Sequence, residues 1–251
     1  MLHVFFCMNR RLEKITQYIN YGLGTVDVGT DHGYLPVYLA KNGYTGNIIA
    51  TDIRPKPLDA ARRSARAAGQ SERISFLLCD GLELCPPDKV DTIVIAGMGG
   101  ELMLHILLDG EKVCASAAEM VLQPQSDIRK VRAFLREHQY KIIDEDMVYE
   151  DGKYYPMMKA VKDESGEIWM RMDDETKAVC DIYGPLLLRG GHPVLRRFLV
   201  RQHRQLTGLL HRLESGNKSE AVKKRILEIR SELHYNESAY TILGAIKNAG
   251  I

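Results

Sequence analysis

Apolar positions change period repeatedly along the chain, and each change marks an element. Leu12, Ile15 and Ile19 recur at spacings of three and four, so residues 9–20 predict a short helix with one buried face. TVDVG then predicts a buried strand. YLPVYLAKNG predicts a helix that tolerates Pro36 in its first turn, where a missing N–H has no intrahelical partner to lose. The scheme repeats with NIIATD as strand, KPLDAARRSARAAG as helix and RISFLLCDG as strand. VDTIVIAGMGG is the most strand-like run, with Val90, Ile93, Val94 and Ile95 expected in the core; GELMLHILLDG follows as helix, EMVLQPQ as strand and SDIRKVRAFLREHQ as helix. Alternation of strand and helix predicts an α/β fold, a Rossmann-like doubly wound parallel sheet.

The pattern then shifts twice. YKIIDEDMVYEDGKYYPMMKAVK reads as two long β segments joined around Asp151-Gly152, an antiparallel hairpin closing the parallel sheet. Beyond residue 163, DESGEIWMRMDDETKAV predicts a polar connection and DIYGPLLLRGGHP a turn-rich entry. Two helices follow: one carries Leu195, Leu199, Leu206, Leu209 and Leu213 on a stripe, the other Val222, Ile226, Ile229 and Leu233, with a break at Gly216-Asn217. An antiparallel αα-hairpin with a leucine seam is the simplest reading. The expected organisation is therefore a sheet domain over 1–163 and a C-terminal helical domain over 164–251.

Composition narrows the class of protein. A chain of 251 residues with net charge +1, 27% charged and 45% hydrophobic residues is an ordinary globular protein, so any affinity for nucleic acid must come from local clustering. Cys7, Cys79, Cys85, Cys114 and Cys180 are scattered without a C-x-x-C pair, which suggests neither a disulfide framework nor a zinc site and fits a reducing cytoplasm; no metal is expected. The opening MLHVFFCMNRR is too short to span a bilayer and lacks the features of a signal peptide, so neither export nor a membrane role is expected; Met8 is an alternative start. A monomer is the favoured state, with self-association through the helical hairpin left open.

Ligands of open α/β sheets bind beyond the carboxyl ends of the strands. Four such ends are polar or glycine-rich: Asp27, Gly29, Asp31, His32 and Gly33 after the first strand, Asp52 with Ile53 after the second, Asp80 and Gly81 after the third, and Gly97, Met98, Gly99 and Gly100 after the fourth. Gly29 permits a sharp turn and Gly33 a close approach of the next helix to the strand. Asp52 follows Asp27 by 25 positions, near the ~20 at which an acid grips a ribose diol. A pyrophosphate on this turn would meet the carboxylates of Asp27 and Asp31, a repulsion on the order of several kcal/mol in a partly buried site. S-adenosylmethionine carries no phosphate; its ammonium and sulfonium favour acidic neighbours, and Asp80 can accept from an adenine amino group. A lone Asp at a strand end is more often a helix cap, and Thr30 or Asp31 could cap the helix near Tyr34, but capping does not explain the recurrence at Asp52 and Asp80. A nicotinamide-dependent oxidoreductase and a noncatalytic RNA-binding protein with a degenerate pocket are the competing readings.

The segments VDVGTDHGYLP, CDGLE, IAGMGGELM, VLQPQ, EDGKYYPMM and YGPLLL together resemble the bacterial tRNA (adenine-N1)-methyltransferases that modify position 22, the TrmK family. The resemblance implies a class I methyltransferase domain using S-adenosylmethionine, followed by a helical hairpin that helps hold tRNA. It implies that Asp27, Gly29, Asp31, His32 and Gly33 form the first cofactor motif, that Asp52 and Ile53 meet the ribose and Asp80 and Gly81 the adenine, and that Gly97 to Gly100 form the substrate-facing loop. Adenine N1 attacks through an in-plane lone pair without a proton, so no general base is required, and Asp31 is the candidate to stabilise the charge appearing on the base. On the first C-terminal helix Arg189, Arg196, Arg197, Arg201, Arg204 and Arg212 concentrate positive charge, continued by Lys218, Lys223, Lys224, Arg225 and Arg230 and diluted by Glu214, Glu220, Glu228 and Glu232. Such a stripe suits phosphates, though a solvated mixed-charge face is equally ordinary.

Overall fold

The computed structural model describes residues 9–163, 172–216 and 219–248. The chain divides into two compact units, Met1–Ser165 and Gly166–Ile251.

The first unit is built on a seven-stranded sheet of order β3-β2-β1-β4-β5-β7-β6. Its strands are β1 (Thr25–Val28), β2 (Ile48–Asp52), β3 (Ile74–Leu78), β4 (Thr92–Gly99), β5 (Glu119–Ser126), β6 (Tyr140–Glu150) and β7 (Lys153–Lys162). The first five run parallel, whereas β7 pairs antiparallel with both β5 and β6. Helices α1 (Arg10–Tyr18), α2 (Tyr34–Lys41), α3 (Pro55–Ala67), α4 (Gly100–Asp109), α5 (Glu111–Ser116) and α6 (Ile128–Glu137) cover it. One core cluster joins Ile15 and Tyr18 of α1, Leu35, Val37 and Leu39 of α2, and the sheet residues Ile48, Ala50, Val94, Val121 and Met157.

Register places the functional end of the sheet. Asp27 lies opposite both Ala50 and Val94, and Val28 opposite Thr51 and Ile95, so β2 ends beside β1 while β4 runs on past them to Gly99. Thr30 N–H donates to Thr51 O at 2.8 Å and Cys79 N–H to Asp52 O at 3.2 Å, tying the following turns to the same edge. At the far side the hairpin turns through Asp151 and Gly152, both left-handed at φ 48° and 79°, the geometry of the tight turn that Asp-Gly predicts. Helix α1 is fastened to this hairpin: Lys14 Nζ pairs with Asp146 at 2.9 Å, Lys159 Nζ donates to Tyr18 O at 2.8 Å, and Arg10 N–H donates to Glu150 Oε1 at 2.9 Å.

The second unit holds α7 (Asp174–Tyr183), α8 (Pro185–Arg189), α9 (Pro193–Glu214) and α10 (Glu220–Asn248). The two long helices pack as the leucine seam predicts, burying Leu195, Leu199, Leu206, Ile226 and Ile229, while Leu209, Leu213, Val222 and Leu233 are half-buried. Asn236 seals the seam, its amide donating to Leu199 O at 3.1 Å and to Gln202 Oε1 at 2.9 Å. The expected connection and turn-rich entry are instead helical over 174–183 and 185–189. Asp173 caps α7 by accepting from Thr176 N–H at 2.7 Å, Gly184 breaks the helix at φ 96°, and Pro185 opens the next one, where its missing N–H costs nothing. The short α5 was not expected either, and α10 runs well past the predicted Glu237. Asn217, in the predicted break, lies outside the described residues, as does the stretch 164–171.

Two buried ion pairs lock β6 and β7. Lys159 meets Glu119 at 2.7 Å, and Arg132 of α6 meets Glu145 of β6 at 2.9 Å with side chains 1% and 0% exposed. A charge left alone at such a site is costly, whereas replacing both partners by apolar groups is often neutral. Arg132→Met is therefore expected to lower unfolding free energy by about 3–5 kcal/mol, and Arg132→Met with Glu145→Leu to recover most of it, in urea titrations of the single and double variants.

Candidate active site

The strand ends border a cleft of about 600 Å³ lined by Gly29 and Asp31 after β1, Thr51, Asp52, Ile53 and Arg54 around the end of β2, Asp80 and Gly81 after β3, and Ala96, Gly97 and Met98 of β4; Arg11, Leu102, Ile106 and Gln125 complete it. That volume lies within the about 300–1,000 Å³ of small-molecule sites.

Each candidate arrives by a local cause. Gly29 sits at φ 70°, and a Cβ there would lie 1.9 Å from Met98 Cε, so the turn after β1 and the methionine of β4 close on one another. Asp52 ends β2 buried, and its Oδ1 accepts from the Arg54 N–H at 2.7 Å, which fixes the carboxylate and leaves Oδ2 without a described donor. Asp80 is exposed at the cleft wall, beside a turn held by Thr51 Oγ1 donating to Gly81 O at 3.0 Å. Asp31 is 77% exposed, with the His32 Nε2 at 3.4 Å. It does not cap α2: the cap residue is Gly33, and no side chain accepts from the helix start.

Several expectations need adjusting. Asp27 does not line the cleft but lies buried beneath it. Burial pushes its carboxyl up to about 7, with the Thr30 hydroxyl opposing the shift and the Asp52 carboxylate adding to it. Gly33 packs against α3 and not against a strand, since a Cβ there would meet the Ala61 Cβ at 2.9 Å. His32, at φ 57°, turns outward and stacks on Tyr34 with ring centroids 5.5 Å apart. In the run Gly97 to Gly100, Gly97 takes φ 81° where β4 slips register against β5, and Gly100 opens α4 where a Cβ would stand 2.5 Å from Ser126 O. Two of the three glycines thus have structural reasons, and only Gly97 and Met98 of the run reach the cleft.

Sequence reasoning missed Arg11 and Arg54. Arg54 stands two residues after Asp52, so nearness in sequence could have raised it. Arg11 sits in a helix legible only as amphipathic, and nothing local indicates that this helix overlies the strand ends. Its Nη1 donates to Gln123 Oε1 at 3.0 Å and its guanidinium lies over the Tyr155 ring at 5.2 Å.

In the second unit Arg197, Arg201 and Arg204 are exposed on α9, where Glu214 is the one acidic residue. The basic residues of α10 are largely answered by acids: Lys223 by Glu220 at 2.6 Å, Arg225 by Glu228 and Glu232 at 3.0 Å each, and Arg230 by Glu214 at 2.7 Å. By sequence, basic residues outnumber acidic ones on α9, where Glu214 is the one acid; Lys218 lies outside the described residues. Among the described residues no cluster of His, Cys, Asp and Glu could hold a metal ion, and no helix is long and apolar enough to cross a membrane.

Known proteins share the sequence and fold of this chain over most of its length. Residues 8–158 match the family described as a methyltransferase domain. The chain is 29% identical over 226 residues to the Bacillus subtilis tRNA (adenine(22)-N(1))-methyltransferase, covering 90% of this chain and 94% of that one. The crystal structure of the B. subtilis tRNA methyltransferase TrmK superposes with a TM-score of 0.81 at 27% identity, covering 92% and 98% of the two chains. A Streptococcus pneumoniae protein solved in complex with S-adenosyl-L-methionine superposes with a TM-score of 0.74 at 28% identity, over 90% of this chain and all of that one. The chain belongs to the methyltransferase-domain family, and its likeness over nine-tenths of its length is to the TrmK type within it.

Proposed function

We propose that the protein methylates N1 of adenosine 22 in tRNA, in the cytoplasm, with S-adenosylmethionine as donor. The observation that carries this reading is the meeting of Asp31, Asp52 and Asp80 around one cleft whose far wall is Gly97 and Met98. Three carboxylates suit a cationic, phosphate-free cofactor, and the residues fit it in order. Asp52, with one oxygen fixed by Arg54 N–H and the other open, would hold the ribose hydroxyls; Asp80 would accept from the adenine amino group; Asp27 and Asp31 favour the ammonium. When bound, S-adenosylmethionine supplies a methyl group on a sulfonium, activated for transfer.

The remaining work is positioning and electrostatics. N1 of adenine needs no proton removed, so the protein must unpair the base, hold N1 in line and answer the positive charge the base acquires. Met98 and the glycine backbone at Gly97 leave room for a flat base, and Asp31, exposed at the cleft lip, is the carboxylate available to that charge. The exposed arginines of α9 meet tRNA phosphates, an interaction that weakens steeply with salt.

Incubation with labelled S-adenosylmethionine and unmodified tRNA, followed by nucleoside mass spectrometry and primer extension, is expected to yield 1-methyladenosine at position 22; transfer to another position or none contradicts the reading. Asp31→Asn should lower turnover by roughly 10²–10³-fold with the melting temperature unchanged, and near-native turnover removes Asp31 from the chemistry. Charge reversal at Arg197 and Arg201 should weaken tRNA binding at low salt and flatten its salt dependence while cofactor affinity stays constant. Finally, Asp27 keeps its proton up to about pH 7 in the free protein, and a bound ammonium favours its ionised form. Below pH 7 binding must release that proton, so cofactor affinity should rise between pH 5.5 and 7 and level off above. Asp27→Asn should flatten the profile in calorimetric titrations.

A further inference from the structure

Beside the seam of the second unit, α9 and α10 border a cavity of about 400 Å³, within the about 300–1,000 Å³ of small-molecule sites. Its floor is apolar or already satisfied. Leu199 is fully buried and Val200 half-buried, while the buried Asn236 commits its amide to Leu199 O and Gln202 Oε1. One wall is the ring of Tyr240, 44% exposed, with the Arg196 guanidinium 5.9 Å from its centroid.

The rim is polar and unengaged. His203 and the exposed Arg204 stand on the α9 side and the exposed Glu237 on the α10 side, and none of these three side chains makes a hydrogen bond or ion pair with a described residue. The cations of α10 behave differently, since Lys223, Arg225 and Arg230 are each answered by a glutamate. A tyrosine ring left open beside an apolar slot is poorly hydrated, so a flat ligand that covers it gains by displacing that water.

Charge and size decide which occupant fits. A second copy of the chain laid on this face about a two-fold axis would bring Arg204 against Arg204, on a helix whose one acid is Glu214. The eight lining residues also fall well short of the roughly 20–30 a side of a stable protein interface. An apolar peptide leaves the rim cation unanswered. A nucleotide answers each part: the face of its base stacks on Tyr240 and covers Val200, its phosphate meets Arg204, and N–H groups on the edge of the base donate to Glu237. The Glu237 carboxylate repels phosphate and so keeps it on the α9 side.

We propose, resting on the tRNA reading above, that this groove takes one unpaired nucleotide of the tRNA, its base stacked on Tyr240 with the edge toward Glu237 and its phosphate on Arg204. The helical unit then does more than follow backbone charge. A paired base cannot enter the slot, so the groove favours RNA with a base free to swing out, which a loop offers and a regular duplex does not.

The test is the affinity of the intact protein for an unmodified tRNA transcript, measured by fluorescence anisotropy over a salt series. Tyr240→Ala is expected to weaken binding about 5- to 150-fold, the range of one base–aromatic stack, with the slope of log Kd against log salt unchanged. Arg204→Gln should weaken binding and lower that slope by about 1, as for one lost phosphate contact, and Tyr240→Phe should bind as the unaltered protein does. A fully paired RNA stem, with no base to insert, should bind the unaltered protein and Tyr240→Ala equally. Equal binding of tRNA by Tyr240→Ala and the unaltered protein overturns the proposal, as does an equal loss on the paired stem, which makes Tyr240 a support for the basic face alone. Self-association in sedimentation that Tyr240→Ala abolishes gives the groove to a second copy instead. If the unaltered protein does not bind tRNA at all, the tRNA reading itself fails and this proposal with it. Melting of the variants checks the fold; where Tyr240→Ala melts early, Tyr240→Leu, which keeps apolar bulk in the groove without the ring, should show the same loss.

Discussion

The register of three parallel strands governs everything at the active end of the molecule. With Val28 paired to Thr51 on one side and Ile95 on the other, β1 and β2 stop together at the edge past which β4 carries Gly97 and Met98. A shift of one residue in any pairing would turn the alternate side chains to the opposite face and disrupt the packing of helices on both sides of strands that are buried throughout. That penalty holds the ends in place, and the turns that leave them inherit the alignment. Asp31, Asp52 and Gly97 reach one cleft because hydrophobic burial some residues earlier leaves them nowhere else to go.

Electrostatics then selects the ligand. Asp27 is buried and inclined to keep its proton, Asp52 is buried with one oxygen already bonded, and Asp31 and Asp80 are open to solvent. A phosphate entering over the Gly29 turn would meet these carboxylates at short range in a partly desolvated site, where like charges are costly. The hairpin adds a distinct contribution: by anchoring α1 it brings Arg11 into the lining of the same cleft.

The parts legible in the sequence were those dictated by period and by special backbone geometry. Burial on both faces made Val26, Ile93 and Ile95 readable as strand, and the Asp151-Gly152 turn announced the hairpin. The acids at strand ends were readable because topology rules confine ligands to that edge. What escaped depended on contacts distant in sequence. Gly33 owes its place to Ala61 on another helix, Gly100 to the backbone of Ser126, and Arg11 to a hairpin more than a hundred residues away. Helices α7 and α8 escaped for a local reason, since an Asp-rich start and a Gly-Pro break look like a loop until Asp173 is seen capping and Pro185 opening a helix. The arginines of α9 could be counted in advance, but which of them stay exposed depends on the seam with α10.

The central claim is that the acids at the strand ends choose a cationic, phosphate-free nucleoside cofactor. Parallel calorimetric titrations of the protein with S-adenosylmethionine and with a nicotinamide dinucleotide test it most directly. The account predicts saturable binding of S-adenosylmethionine that is lost in Asp52→Ala, and no measurable heat with the dinucleotide. Comparable binding of the dinucleotide, or binding of S-adenosylmethionine indifferent to Asp52, would contradict it.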